Sequence, residues 1–228
     1  LTQHDALPIS LAVITLQLRA QPREQSCHVH DIPVGQYAAC SVQPTCGLAS
    51  ATGLIGMVDD PRYFADPSHV QASLLWFGSG WVDYRIPNFL LGGQRARTLE
   101  FSMELCSESP VYNEHHPSDI GFRVNGHLLG VWTSPGDFGG KRGLLTPAWW
   151  NGGTQYGILK TVRVDATGSY IDGVRVSDIT MESLAITYGS EITLRLEVDE
   201  TARHKGGLNL FGRQFGNYGQ DIRVLLGY

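Results

Sequence analysis

The stretch from Trp132 to Tyr156, WTSPGDFGGKRGLLTPAWWNGGTQY, holds the densest set of residues able to do chemistry. Trp132, Trp149, Trp150 and Tyr156 offer flat apolar rings, while Asp137, Lys141, Arg142 and Asn151 offer directional hydrogen-bonding groups. That mixture suits a small polar ligand such as a sugar, whose ring face stacks on aromatics while polar side chains take its hydroxyls. Two other glycine- or proline-marked clusters carry comparable groups. Tyr112–Pro117 supplies Asn113 and Glu114; Gly206–Gly212 supplies Asn209 and continues through Phe215-Gly216-Asn217-Tyr218. Loops converge at the ends of a β-sandwich, so the three clusters are expected to share an aromatic-walled cleft. The competing expectation is a plug, with Trp149 and Trp150 capping the open end of the sandwich and nothing bound.

Catalytic and metal chemistry find less support. Glu104, Asp119 and Asp137 are carboxylates of the type a glycosidase sets across a scissile bond, but type is all that marks them. No GxSxG elbow, P-loop or HExxH occurs. His28-Val29-His30 has the spacing that puts two rings on one face of a strand, with Cys27 and Asp31 beside it. It lacks the distant histidine and carboxylate of a complete ligand set. His115-His116 point apart on any strand, and Asp59-Asp60 reads as a solvated turn rather than a calcium site. No metal, cofactor or catalytic residue is therefore expected.

The elements that must position these groups are strands. Glycine, at 27 residues, and proline, at 11, are mixed with β-branched and aromatic residues, which favours many short strands joined by turns. Thr98–Leu105 alternates apolar and polar residues with a period of two. Asn125-Gly126 and Asp172-Gly173 predict two-residue hairpin turns. Strands are also expected at Gly35–Val42, Leu74–Phe77, Trp81–Ile86, Ile120–Val124, His127–Trp132, Lys160–Val164, Ser169–Ile171, Val174–Val176, Glu191–Val198 and Ile222–Leu226. A short helix is expected near Pro67–Ser73, and a capped turn at Asp178–Ser183. Without a βαβ rhythm, the pattern predicts an all-β, antiparallel two-sheet sandwich of jelly-roll type.

The net charge of -5 and the lack of a basic stripe argue against this segment gripping nucleic acid by itself. Cys27, Cys40, Cys46 and Cys106 show no CxxC spacing and are expected to be reduced thiols in a cytoplasmic protein. The apolar run Ser10–Leu18 is about half the length of a membrane span. His4–Ile9 is encodable by a common sequencing adapter, so residues 1–9 are expected to be an assembly artefact. Residues 10–30 are expected to be the residual end of a lost domain and a polar linker, with the sandwich over 31–228.

The combination of PTCGLA (Pro44–Ala49), LLWFGSGWVDYRIPN (Leu74–Asn88), NEHHPSDIGFRVNG (Asn113–Gly126), WTSPGDFGGKRGLLTPAWW (Trp132–Trp150) and GGLNLFGRQFGNYGQDI (Gly206–Ile222) resembles the C-terminal part of ArsR-type winged helix-turn-helix regulators. No helix-turn-helix precedes Asp31. The resemblance implies an effector-binding domain that senses a small polar ligand such as a sugar. It further implies contact with operator DNA only through a missing N-terminal domain, with a possible homodimer and no membrane partner. The alternative is a stand-alone carbohydrate-binding module or a degenerate glycosidase-associated domain, a fold-level analogy carried by the FRVNGHLLGVW hairpin.

Overall fold

The computed structural model describes residues 26–228. The suspected artefact at 1–9 and most of the segment 10–30 lie outside the described residues. In chain order the strands are β1 (Cys27–Ile32), β2 (Ala39–Ala49), β3 (Leu54–Ile55), β4 (Leu74–Ile86), β5 (Thr98–Cys106), β6 (Ser118–Val124), β7 (His127–Ser134), β8 (Ile158–Asp165), β9 (Gly168–Ile171), β10 (Val174–Ser177), β11 (Ile192–Val198), β12 (Leu208–Phe211) and β13 (Ile222–Gly227). Helix among the described residues is limited to the 3-10 turns Pro61–Ala65 and Pro67–Gln71 and one α-turn, α1 (Met181–Leu184).

Two antiparallel layers form the expected jelly-roll sandwich. One runs β3-β2-β4-β11-β6-β7 and the other β1-β13-β5-β8-β9-β10. They are not independent sheets. β12 pairs with Leu74–Phe77 of β4 on one side and with Glu104–Cys106 of β5 on the other, fusing the layers at one end. Leu99, Phe101, Met103 and Leu105 of β5 face Ile192, Leu194, Leu196 and Val198 of β11 and Ile120, Phe122 and Val124 of β6 in one buried core. Each such side chain stabilises the fold by about 1.5–3 kcal/mol on leaving water.

The alternation that built this core stops where β12 enters. β5 reads half-buried and buried in turn up to Ser102, then is buried at every position from Met103 to Cys106. Leu74–Phe77 of β4, Cys46–Ala49 of β2 and all of β12 are likewise buried on both faces. Their outward residues Ala49, Leu74, Trp76, Cys106 and Phe211 join Phe215 in a second cluster, covered by Phe138, Trp149 and Trp150 from the loops. Gly47 makes room for it, since a Cβ there would lie 2.2 Å from the Trp76 ring.

The hairpins form as the turn residues require. Asn125 and Gly126 adopt φ of 48° and 82°, and Asp172 and Gly173 adopt 49° and 80°. Asp66 caps Pro67–Gln71 from its side chain, and Thr180 caps α1 in a capping box with Ser183.

Four expectations need correction. The polar segment 21–30, read as linker, contributes β1, whose backbone pairs with β13 whatever its side chains. β2 runs on through Pro44 to Ala49, because a register shift between Gln43 and Cys46 absorbs the missing N–H. Leu74–Phe77 and Trp81–Ile86 are one strand, not two. Gly206–Gly212 contains a central strand, not a loop. All four cysteines are free thiols.

The continuity of β4 rests on Gly80, at φ +110°, where a Cβ would meet Ser41 O at 2.0 Å. Gly80→Ala is therefore expected to cost more than about 1 kcal/mol, since the residue is incompatible with the backbone it must adopt. Urea denaturation checks it; an unchanged midpoint would contradict the close β2–β4 approach at this point.

Candidate functional site

The loop after β7 crosses the outward face of the fused end and returns as β8. Three segments hold it down, and the sequence clusters meet there. Asp137 N–H donates to Asn113 O at 2.9 Å, and Gly140 N–H donates to Glu114 Oε1 at 3.1 Å. Gly136 lies against the backbone of Glu114, where a Cβ would come within 2.2 Å of its carbonyl oxygen. The Gly212–Tyr218 segment closes the other side, with Leu145 N–H on Gly216 O and Leu144 N–H on Asn217 Oδ1.

Trp149 and Trp150 are half-buried and fixed in direction. The Trp149 indole N–H donates to Ala51 O at 2.8 Å, and that of Trp150 donates to Thr154 O at 2.9 Å. Their rings meet edge to face at 5.5 Å, and Trp150 meets Trp76 and Phe215 the same way, at 5.7 Å each. Phe138 and Tyr156 stack in parallel at 5.4 Å. Around this bed the same loops expose Val111, Tyr112, Leu144, Leu145 and Tyr218. Apolar side chains grouped in this way on exposed loops mark a contact surface more often than a chance residue does. Asn113, Glu114, Lys141 and Asn151 are among the exposed polar groups of these loops.

Beneath the rings lies a polar network that only partly overlaps the sequence expectation. Asn209 is 1% exposed. Its amide nitrogen donates to Ser107 O, Glu108 Oε2 and Thr154 Oγ1. The Thr154 hydroxyl donates on to Asp137 Oδ2, which also accepts from Ser109 N–H. Thr45 Oγ1 donates to Glu108 Oε1. Two carboxyl groups are thus buried on one chain of hydrogen bonds. Burial pushes Glu108 up to about 8, with the nearby Asp137 charge adding to it. Burial pushes Asp137 up to about 7 against the hydrogen bonds from Thr154 and Ser109. Like charges this close titrate as a pair.

Several expected site residues make structural contacts. Trp132 lies on β7 and packs against the main core under the Lys160 ammonium, 4.6 Å above its ring, so it does not join the other tryptophans. Arg142 is spent on the carbonyls of Trp150, Thr146 and Pro147, which ties the loop to itself. Asp137 and Asn209 are buried below the surface. The catalytic candidates are equally committed. Glu104 accepts backbone N–H groups of Gly157, Asn217 and Tyr218, and burial raises its carboxyl in spite of them. Asp119 is held by Thr133 and His204. Asp59 and Asp60 cap Cys46 N–H and pair with Arg62. Among the described residues no group of three or more His, Cys, Asp or Glu side chains is arranged to hold a metal, and no helix is long and apolar enough to cross a membrane.

No family model and no curated protein matches the chain. Solved structures to which the chain is loosely similar include two carbohydrate-binding modules. One is the CBM36-1 domain of a multidomain xylanase from the hindgut metagenome of Trinervitermes trinervoides, at 10% identity and TM-score 0.38, covering 89% of this chain and 98% of that one. The other is the carbohydrate-binding module CBM36 in complex with calcium and xylotriose, at 8% identity and TM-score 0.34, covering 88% and 99%. None of the comparisons points to a transcription regulator, and the expectation of a regulator's effector domain is not upheld. Nothing among the described, nearly all-β residues supports a helix-turn-helix or an operator-DNA partner.

The buried pair fixes a pH dependence. Unfolded carboxyls titrate near pH 4, so between about pH 4 and 8 the folded chain binds more protons than the unfolded one. Stability is then fully present below about pH 4 for these groups and falls as pH rises through 7 to 8. Melting temperature measured from pH 5 to 9 is expected to fall, and Asp137→Asn is expected to flatten that fall. A rising curve, or an unaltered slope in the variant, contradicts the buried pair.

Proposed function

We propose that this chain is a carbohydrate-binding module whose recognition surface is the loop face over the fused end of the sandwich. One observation carries the reading. Trp149 and Trp150 are locked in place through their indole N–H groups, on a bed of Trp76 and Phe215, while Tyr112 and Tyr218 stand exposed on the same set of loops. Rings held this way accept a sugar face without losing rotamer freedom, which is the usual entropic cost of ordering a contact. Asn113, Glu114 and Asn151 supply hydroxyl partners at the rim, and the charged ones make the stronger bonds. The site binds without transforming: Glu104, Asp119 and Asp137 are each tied to main-chain or side-chain donors. In this reading the plug and the ligand site are compatible, because the tryptophans anchor the loop while the tyrosines stay partly exposed.

Tyr112→Ala is the clean test, as that side chain is 42% exposed. Affinity electrophoresis through gels containing soluble polysaccharides (xylan, hydroxyethylcellulose, galactomannan) is expected to retard the natural chain. The variant's affinity is expected to drop about tenfold with its melting temperature unchanged. Trp150→Ala is expected to weaken retardation and also to lower stability by about 2–3 kcal/mol, less than for a fully buried ring. Unretarded migration in every gel, or a Tyr112→Ala variant retarded like the parent, overturns the proposal.

A further inference from the structure

At the other end of β5, about 27 Å from the loop face at roughly 3.4 Å per strand residue, lies a cleft of about 1020 Å³. Its walls come from the segment 93–97 that leads into β5, the β8–β9 turn at Ala166, the region 180–187 around α1, and Tyr228. Ala96, Met181 and Ile186 rest on the main core and form an apolar floor. Tyr228 adds an aromatic ring, held by stacking on His28 at 4.7 Å. Gln94, Thr180 and Thr187 add hydroxyl and amide groups.

The charges of this cleft set it apart. Arginines elsewhere in the fold are mostly spent: Arg62, Arg85, Arg123, Arg163, Arg175, Arg195 and Arg213 pair with acids, and Arg142 with carbonyls. Arg95, Arg97, Arg203 and Arg223 alone form no ion pair or side-chain hydrogen bond among the described residues. Two of those four, Arg95 and Arg97, line this cleft together. Glu182 is its one acidic side chain.

We propose that this cleft binds a carboxylated sugar, a uronic acid within an acidic glycan. A guanidinium fork matches a planar carboxylate through two parallel hydrogen bonds. The tyrosine ring and apolar floor take the sugar face, and the threonines and Gln94 take its hydroxyls. The site is separate from the loop face and does not rest on it, so the chain would hold a neutral glycan at one end and an acidic one at the other.

Isothermal titration of the full chain with tri-galacturonate, and with its fully methyl-esterified form, tests this directly. The acid is expected to bind and the neutral ester to bind at least about tenfold more weakly, as is the acid to an Arg95→Ala/Arg97→Ala variant. Both arginines are exposed, so the variant should melt with the parent. Arg203→Ala, which removes an equally unpaired charge elsewhere, should leave the titration unchanged. No binding of the acid, equal binding of the ester, undiminished binding by the double variant, or an equal loss in Arg203→Ala each overturns the assignment.

Discussion

A strand that hydrogen-bonds to both layers of a sandwich at once cannot leave either of its faces in water. β12 is such a strand, joined to β4 on one side and β5 on the other. Its inward residues Leu208 and Leu210 belong to the main core, while Asn209 and Phe211 point the opposite way into what would otherwise be solvent. Covering that face is what the long connection between β7 and β8 does. The second aromatic cluster, the pinned tryptophans and the exposed rim above them are consequences of that one pairing arrangement.

The same arrangement explains why acids are found where water is not. Asn209 sits at the centre of the outward face of β12, and a buried amide must be satisfied or it costs the fold about 1–3 kcal/mol. Glu108, Thr154 and Ser107 satisfy its donor, and Asp137 anchors the covering loop through Thr154 and Ser109. Two carboxyls are thereby drawn below the surface with no cation beside them. Protonation is the state that makes them tolerable there, because burying an unpaired ion costs far more than burying a neutral acid.

Much of this was legible in the residues themselves. Asn125-Gly126 and Asp172-Gly173 set their hairpins, Asp66-Pro67 and Thr180 set their caps, and the Thr98–Leu105 alternation placed the core face of β5. What escaped was whatever depended on two-sided burial. The string GLNLF looks like a loop because glycines flank it and its apolar residues do not alternate; only the fused geometry makes every position inward. Glu108 and Thr154 carried no signal, since an acid and a threonine near turns are ordinary until a buried amide lies between them. Arg142 and Asp137 looked like ligand groups for the same reason they are structural: charged side chains in a glycine-rich loop need partners, and here the loop itself supplies them. The β1 strand was missed because its edge pairing is made by backbone, to which polar side chains are no guide.

The second cluster also has a bearing on the order in which the molecule assembles. Its members, Ala49, Leu74, Trp76, Cys106, Trp149, Trp150, Phe211 and Phe215, come from segments spread over most of the chain. The hairpins β6–β7 and β8–β9–β10, by contrast, close on neighbours a few residues away. Contacts of long sequence separation carry a loop-closure entropy that must be met before they reward the chain. Forming the outer aromatic layer therefore carries a loop-closure cost that the hairpins do not. Hydrogen exchange of the amide protons under the tryptophans distinguishes a local opening of the covering loop from global unfolding.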